Sequence, residues 1–220
     1  MLGPAAIIIW NGIESMAKDE FIAWHNREHI PERVDIPGFM TGRRMREVSD
    51  DTYLTLYDLS GTEVLNSVAY QTRLNAPTEW TSRVVPHFLQ TVRLLSERVA
   101  TEGHGEGGYV LAARFTREQI EVATGTALRK LLSRYRTDDP EILAWHIYKT
   151  DSAASQKKTA ESAARRNDAD QSAATLLVEA SSLDSLNALK MALADLLGKT
   201  SIVNLYTQEV TLVRDAEPGD

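Results

Sequence analysis

Apolar positions along this chain recur with two periods, and the order of those periods repeats. Residues 5–10 are an unbroken apolar run, Ala-Ala-Ile-Ile-Ile-Trp, which predicts a strand over 5–11 with both faces covered. A helical pattern over 17–30 follows. Strands are predicted over 39–48 and 52–59, the second with Tyr53, Thr55 and Tyr57 on one side. Residues 61–74 read as a helix through Leu65, Val68 and Ala69, a further helical stretch runs from Pro77 to about 87, and 91–99 alternates as a strand.

Residues 101–108, Thr-Glu-Gly-His-Gly-Glu-Gly-Gly, interrupt both periods and predict a bend. No Gly-Lys-Ser/Thr follows, so this is not a phosphate-binding loop. Beyond it come a strand (109–115), a helix (117–135), strands (141–149 and 176–180), a helix (183–197) and a closing strand (202–213). The order β-α-β-β-α-β thus occurs twice. Each unit has one sheet face to bury, and two units facing each other close an eight-stranded antiparallel barrel with helices outside. The predicted class is α+β: two tandem ferredoxin-like units within one chain, 1–102 and 109–220, joined by a glycine-rich linker at 103–108.

Candidate chemistry gathers in the first helix, Trp24-His25-Asn26-Arg27-Glu28-His29-Ile30-Pro31-Glu32-Arg33. At about 100° per residue, His25, His29 and Glu32 share one helix meridian, with Glu28 and Phe21 beside it. Histidine exchanges protons near neutral pH, and a carboxylate can fix its tautomer. A solvated amphipathic helix would give the same letters. Pro31 should end or kink the helix within a turn of His29. The turn Ile36-Pro37-Gly38-Phe39 then leads into a strand carrying Arg43 and Arg44, so a helix end, a turn and a basic strand converge on one corner.

The pattern Glu20-Phe21-x-x-Trp24-His25-x-x-x-His29-x-Pro31-Glu32-Arg33, followed by Ile36-Pro37-Gly38-Phe39 and Arg43-Arg44, resembles the EthD-like branch of the dimeric α+β barrel superfamily of ferredoxin-like folds. The resemblance covers about the first hundred residues. It implies a unit whose first helix supplies a polar residue to a pocket between helices and sheet. The second half departs from it: its first helix reads Leu128-Arg129-Lys130-Leu131-Leu132-Ser133-Arg134-Tyr135, without histidine or carboxylate at the matching place.

Two functional readings follow. In the first, the protein is an enzyme without an organic cofactor, acting on a small hydrophobic or aromatic oxygenated compound as a lyase, isomerase, cyclase, decarboxylase or monooxygenase. His29, with His25 second, moves a proton, Glu28 or Glu32 orients it, and Arg43 or Arg44 stabilises an oxyanion. Trp24, Phe39 and Tyr57, with Trp10, Tyr53 and Trp80, are candidates for the apolar wall. In the second reading the barrel is a noncatalytic stress-responsive or ligand-binding protein whose histidines hold the helix–strand corner together. A lesser alternative comes from His25-x-x-Glu28-His29, which matches the spacing of inverted zinc peptidases; a catalytic zinc wants a third protein ligand, none is designated, and no metal is assigned. Other fused barrels of the superfamily bind haem, but the second half offers no helix histidine for an axial ligand.

Composition narrows the partners. The chain has 220 residues, 25% charged and 43% apolar, with a formal net charge of −7, which argues against general nucleic-acid binding and for a small-molecule partner. Cysteine is absent, removing disulfides and thiolate chemistry. The run at 5–10 is too short to cross a membrane, so a cytoplasmic location and no membrane partner are expected. A homodimer is the expected association. His87 and His146 read as structural, and His104 carries no role. Residues 151–171, rich in Ala, Ser, Lys, Arg and Asp, read as a solvated, protease-sensitive loop.

Overall fold

A computed structural model of the chain describes residues 3–155, 172–197 and 202–214. Its strands are β1 (Ala5–Ile13), β2 (Phe39–Glu47), β3 (Thr52–Leu59), β4 (Phe88–Gly103), β5 (Tyr109–Phe115), β6 (Ile142–Thr150), β7 (Ala174–Ala180) and β8 (Ile202–Val213). They close a barrel in the order β1-β3-β2-β8-β5-β7-β6-β4, every pairing antiparallel. The first half contributes β2-β3-β1-β4 and the second its equivalent, β6-β7-β5-β8. Two seams, β2 with β8 and β4 with β6, join the halves. One chain therefore makes the barrel, and the fold is that of the dimeric α+β barrel.

Strand alternation sorts side chains into two layers. Ala6, Ile8 and Trp10 of β1 point into the barrel with Met45, Leu54, Leu56, Leu177 and Tyr206. Ile7 and Ile9 point outward beneath the first-half helices, which is why the apolar run of β1 is unbroken. In the second half the outer layer is sealed by leucines: Leu128 and Leu132 of α6 (Thr126–Asp138), with Leu186, Leu189 and Leu193 of α8 (Leu183–Leu197), cover the sheet.

The first-half outer layer is built from α1 (Lys18–Trp24), α2 (Ile30–Val34), α3 (Val68–Asn75) and α4 (Glu79–Val84). Among the described residues, the remaining short helices are α5 (Ile120–Thr124) and α7 (Ser152–Ser155). The stretch 61–74, read as one helix, is a 3₁₀ turn Thr62–Asn66 followed by α3, because the Ser67 hydroxyl accepts from Tyr70 N–H and starts a new helix. Likewise the helix read over 117–135 breaks at Gly125, which separates α5 from α6.

β4 is longer than its apolar pattern, running on to Gly103 by pairing with β6. The connection to β5 is pinned, since Gly107 N–H donates to Glu179 at 3.1 Å and a Cβ at Gly107 would sit 2.0 Å from the Ala180 carbonyl oxygen. Most of the loop expected at 151–171 lies outside the described residues. No described helix is long and apolar enough to cross a membrane.

Candidate functional site between the first helix and the sheet

The helix bearing the histidines does not end at Pro31. It continues from Lys18 to Val34, with a π-turn, His25–His29, between α1 and α2. The expectation of a break fails because Pro31 falls in the first turn of α2, just after the register change, where a missing N–H costs little. The inserted residue also rotates everything after it by about 100°, which takes Glu32 off the meridian of the histidines.

Phe21, His25 and His29 form a ladder along the buried side. Phe21 stacks on His25 at 5.1 Å between centroids and His25 on His29 at 5.6 Å, while Trp24 lies 4.2 Å from the His29 ring. Both histidines are 4% exposed. Their rings reach a small cavity whose walls include Phe21, Trp24 and Phe88, and whose floor is Ile9, Asn11, Thr55 and Tyr57 of the sheet. Its volume is about 10 Å³, the space of a single water molecule. The helix lies this close to β2 because Gly42 has no side chain: a Cβ there would come within 2.9 to 3.0 Å of Ile30, Tyr57 and Val34.

Arg44 reaches the same corner from β2. Its Nη1 lies 3.4 Å from His25 Nδ1 and donates to Asn26 Oδ1 at 2.8 Å, its Nε donates to Glu209 at 3.0 Å, and its guanidinium lies over the rings of Phe21 and Tyr53 at 5.8 and 5.9 Å. A guanidinium only donates. The contact to His25 therefore calls for an unprotonated Nδ1, a neutral ring with its proton on Nε2. Glu209, on β8, brings a second-half residue to the rim across the β2–β8 seam.

The other sequence candidates separate. Arg43 is turned to the opposite side of the sheet, into the barrel, where it is fully buried and donates to Glu179 at 2.6 and 3.1 Å and to Gln208. Consecutive strand residues face opposite ways, so Arg43 and Arg44 cannot serve one pocket. Glu28 turns towards α4 and accepts from Thr78 Oγ1 at 2.6 Å and Trp24 Nε1 at 3.1 Å. Glu32 pairs with Arg73 on α3, and burial raises its pKa against the pull of Arg73. Neither carboxylate has a histidine among its hydrogen bonds. Phe39 packs edge-on against Tyr57 and beside Tyr70, one ring removed from the cavity; Trp24 and Tyr57 do line it. Trp10 belongs to the barrel core, whereas Tyr53 and Trp80 pack with Phe21 and Trp24.

Sequence reasoning missed Asn11, Thr55 and Phe88. Asn11 had a visible signal, since it is the polar residue ending the outward row Ile7, Ile9, Asn11. Phe88 did not, because β4 begins before the alternation it was read from.

A second set of titratable groups lies inside the barrel. Asp58 accepts from Thr41 Oγ1 at 2.7 Å and Gly3 N–H at 3.2 Å, and burial pushes its pKa up to about 7 despite those bonds and the Arg43 charge. His146 shares a 2.7 Å hydrogen bond with Thr101 Oγ1; burial, with Arg98 and Arg43 nearby, lowers its pKa to about 3. Outside the barrel, in the turn before β4, the partly exposed His87 pairs at 2.7 Å with Glu14. Among the described residues, no three His, Asp or Glu side chains are grouped to hold a metal.

Comparison with solved structures finds the same fold elsewhere. The chain superposes on an anthrone oxidase-like protein with a TM-score of 0.62 and 10% identity, over 96% of this chain and 94% of that one. Proposed monooxygenases from Lactobacillus acidophilus NCFM (TM-score 0.57, 8% identity, 97% and 98% covered) and Fusobacterium nucleatum (0.56, 6%, 99% and 98%) share the fold across both halves. No family model matches the sequence, and comparison with curated proteins finds no match.

Proposed function

We propose that the protein is a small-molecule enzyme of the EthD-like kind that removes a proton from a carbon conjugated through an aromatic ring with a carbonyl of its substrate, without an organic cofactor. The observation that carries this is the pair of buried histidine rings, His25 and His29, stacked in an aromatic cage against the sheet. His25, with Nδ1 facing Arg44, is the hydrogen-bond donor that polarises the carbonyl through Nε2. His29 is the base. Arg44 holds the tautomer of His25 and is a positioning residue; Glu28 ties the helix to α4. The similarity to an anthrone oxidase-like protein and to monooxygenases supports reading the step after deprotonation as oxygenation: an anthrone would lose its ring-methylene proton to His29, and the carbanion would react with O₂ to give the quinone and water.

The cavity is closed around the space of one water, so a ring enters only when the helix and α4 move apart. That closure also favours the second reading, a noncatalytic barrel in which the stacked histidines pack the corner. An oxygen electrode separates them. With anthrone as probe, the first reading expects O₂ uptake above the buffer rate, lowered about 10²- to 10⁴-fold in His29→Gln with the fold intact by circular dichroism. Uptake at the buffer rate for the unmodified protein, or unchanged in His29→Gln, overturns it.

A further inference from the structure

We propose that a second cavity in the first half is a binding site for a small carboxylate bearing one apolar ring or short chain. The proposal goes beyond the histidine reading and does not depend on it. The cavity, about 250 Å³, opens between the 3₁₀ turn Thr62–Asn66, α3 and β4, with Asp151 at its edge. Its apolar surface comes from Leu65, Leu74 and Leu95, all buried. A cavity of about 150 Å³ encloses a benzene ring. The space here takes such a ring and a charged group besides.

The charged partner is Arg93, on the same helix-facing side of β4. It stands opposite Ile9 in the β1–β4 register, and Ile9 lines the histidine cavity, so the two spaces share a wall. The half-buried Arg93 donates through Nη2 to the hydroxyl of Tyr70, and among the described residues it makes no ion pair. A cation held between a sheet and a helix without a counter-ion is costly, and an anion bound there recovers that cost. The Tyr70 hydroxyl accepts from Arg93, leaving its own proton to donate. A guanidinium fork and a phenol proton converging on one cavity match a carboxylate. Gln71 is held aside, its Nε2 bonded to the Leu65 carbonyl at 2.7 Å.

Two acidic residues decide the class of anion. Glu63 and Asp151 also line the cavity, both on its exposed side. They tolerate a monoanion seated on Arg93 and repel a dianion more strongly. The site therefore selects a carboxylate over a phosphate monoester.

Calorimetric titration of the full chain with phenylacetate, 3-phenylpropionate, phenylacetamide and phenyl phosphate tests this. At least one carboxylate should saturate with a Kd near or below about 1 mM. The amide should bind about ten- to a hundredfold more weakly, and phenyl phosphate more weakly than the carboxylate. Arg93→Gln should abolish the preference for carboxylate over amide and Arg93→Lys should keep it; the comparison of ligands on the unmodified protein stands even where a variant does not fold. Equal binding of acid and amide overturns the proposal. So does tighter binding of phenyl phosphate, a preference that survives Arg93→Gln, or no saturation by either carboxylate up to about 10 mM. His29→Gln should leave carboxylate binding unchanged, so failure here and failure of the histidine reading are told apart.

Discussion

Arg43 of β2 grips Glu179 of β7 through two hydrogen bonds, at 2.6 and 3.1 Å, with both side chains fully buried. One comes from the first half of the chain and the other from the second, so this pair fixes the two ferredoxin-like units in register inside their shared barrel.

Removing Glu179 takes from the buried Arg43 its two charge-assisted hydrogen bonds and leaves it the Gln208 amide oxygen and, at 3.6 Å, the partly exposed Glu106 carboxylate. Glu179→Ala is expected to lower unfolding free energy by about 3–5 kcal/mol, and Arg43→Met with Glu179→Leu to recover most of that loss. Urea denaturation of the two single variants and the double variant measures both. A loss below about 1 kcal/mol in Glu179→Ala would show that the pair is incidental to joining the halves.

The barrel interior should shape the pH dependence of stability through two opposed groups. Asp58 titrates near 7 when folded, above its ordinary value of about 3.9, so the native state holds the extra proton and stability falls as pH rises between about 4 and 7. His146 titrates near 3, below its ordinary value of about 6.5, so stability rises with pH between about 3 and 6.5. The slopes nearly cancel from about pH 4 to 6.5. Asp58→Asn should expose the rise and His146→Gln the fall, each on the order of a few kcal/mol across its window. Urea melts at pH 4, 5.5 and 7 read this directly, and parallel profiles for both variants would contradict it.

Glu28 is expected to act as a clasp. Glu28→Ala removes a charged acceptor shared by Thr78 and the buried Trp24 indole, which keep only Thr81 Oγ1 at 3.0 and 3.2 Å, costing about 1–3 kcal/mol and speeding amide exchange across α1, the π-turn and α4. Were Glu28 instead the partner that orients a histidine, turnover would collapse in Glu28→Gln with stability untouched.

The barrel was legible because strands are short apolar runs bounded by turn residues, and β7, α8 and β8 fall where the pattern put them. Strand ends were less so: β4 continues past Val99 through Ala100, Thr101 and Glu102 to Gly103 on hydrogen bonds to β6, which come from tertiary pairing and leave no local trace. The histidine corner was legible as a cluster, since Phe21, His25 and His29 at four-residue spacing do stack. Its charges were not. Alternation says that Arg43 and Arg44 face opposite sides, but which faces the helix depends on register with β3 and β8. The π-turn, which moves Glu32 to Arg73, follows from packing at Gly42 and the placement of Pro31, and no periodicity reports it.

Arg44→Met should act on the site through His25. Losing the donor frees Nδ1 to carry the proton, so the expected change is in the tautomer: ¹⁵N spectra of His25 should shift from an Nε2–H to a mixed or Nδ1–H pattern. His29 signals should move far less. An unchanged His25 spectrum would remove Arg44 from the site.

If His29 takes a proton from carbon, isotope exchange measures that step without the oxidation that follows. Anthrone is incubated with the protein in D₂O under strict exclusion of oxygen, and deuterium entering its ring methylene is followed by mass spectrometry. The expected result is exchange faster than in buffer, unaffected by Asp58→Asn and lowered about 10²-fold or more in His29→Gln. Exchange at the buffer rate, or equal exchange with and without His29, would contradict it.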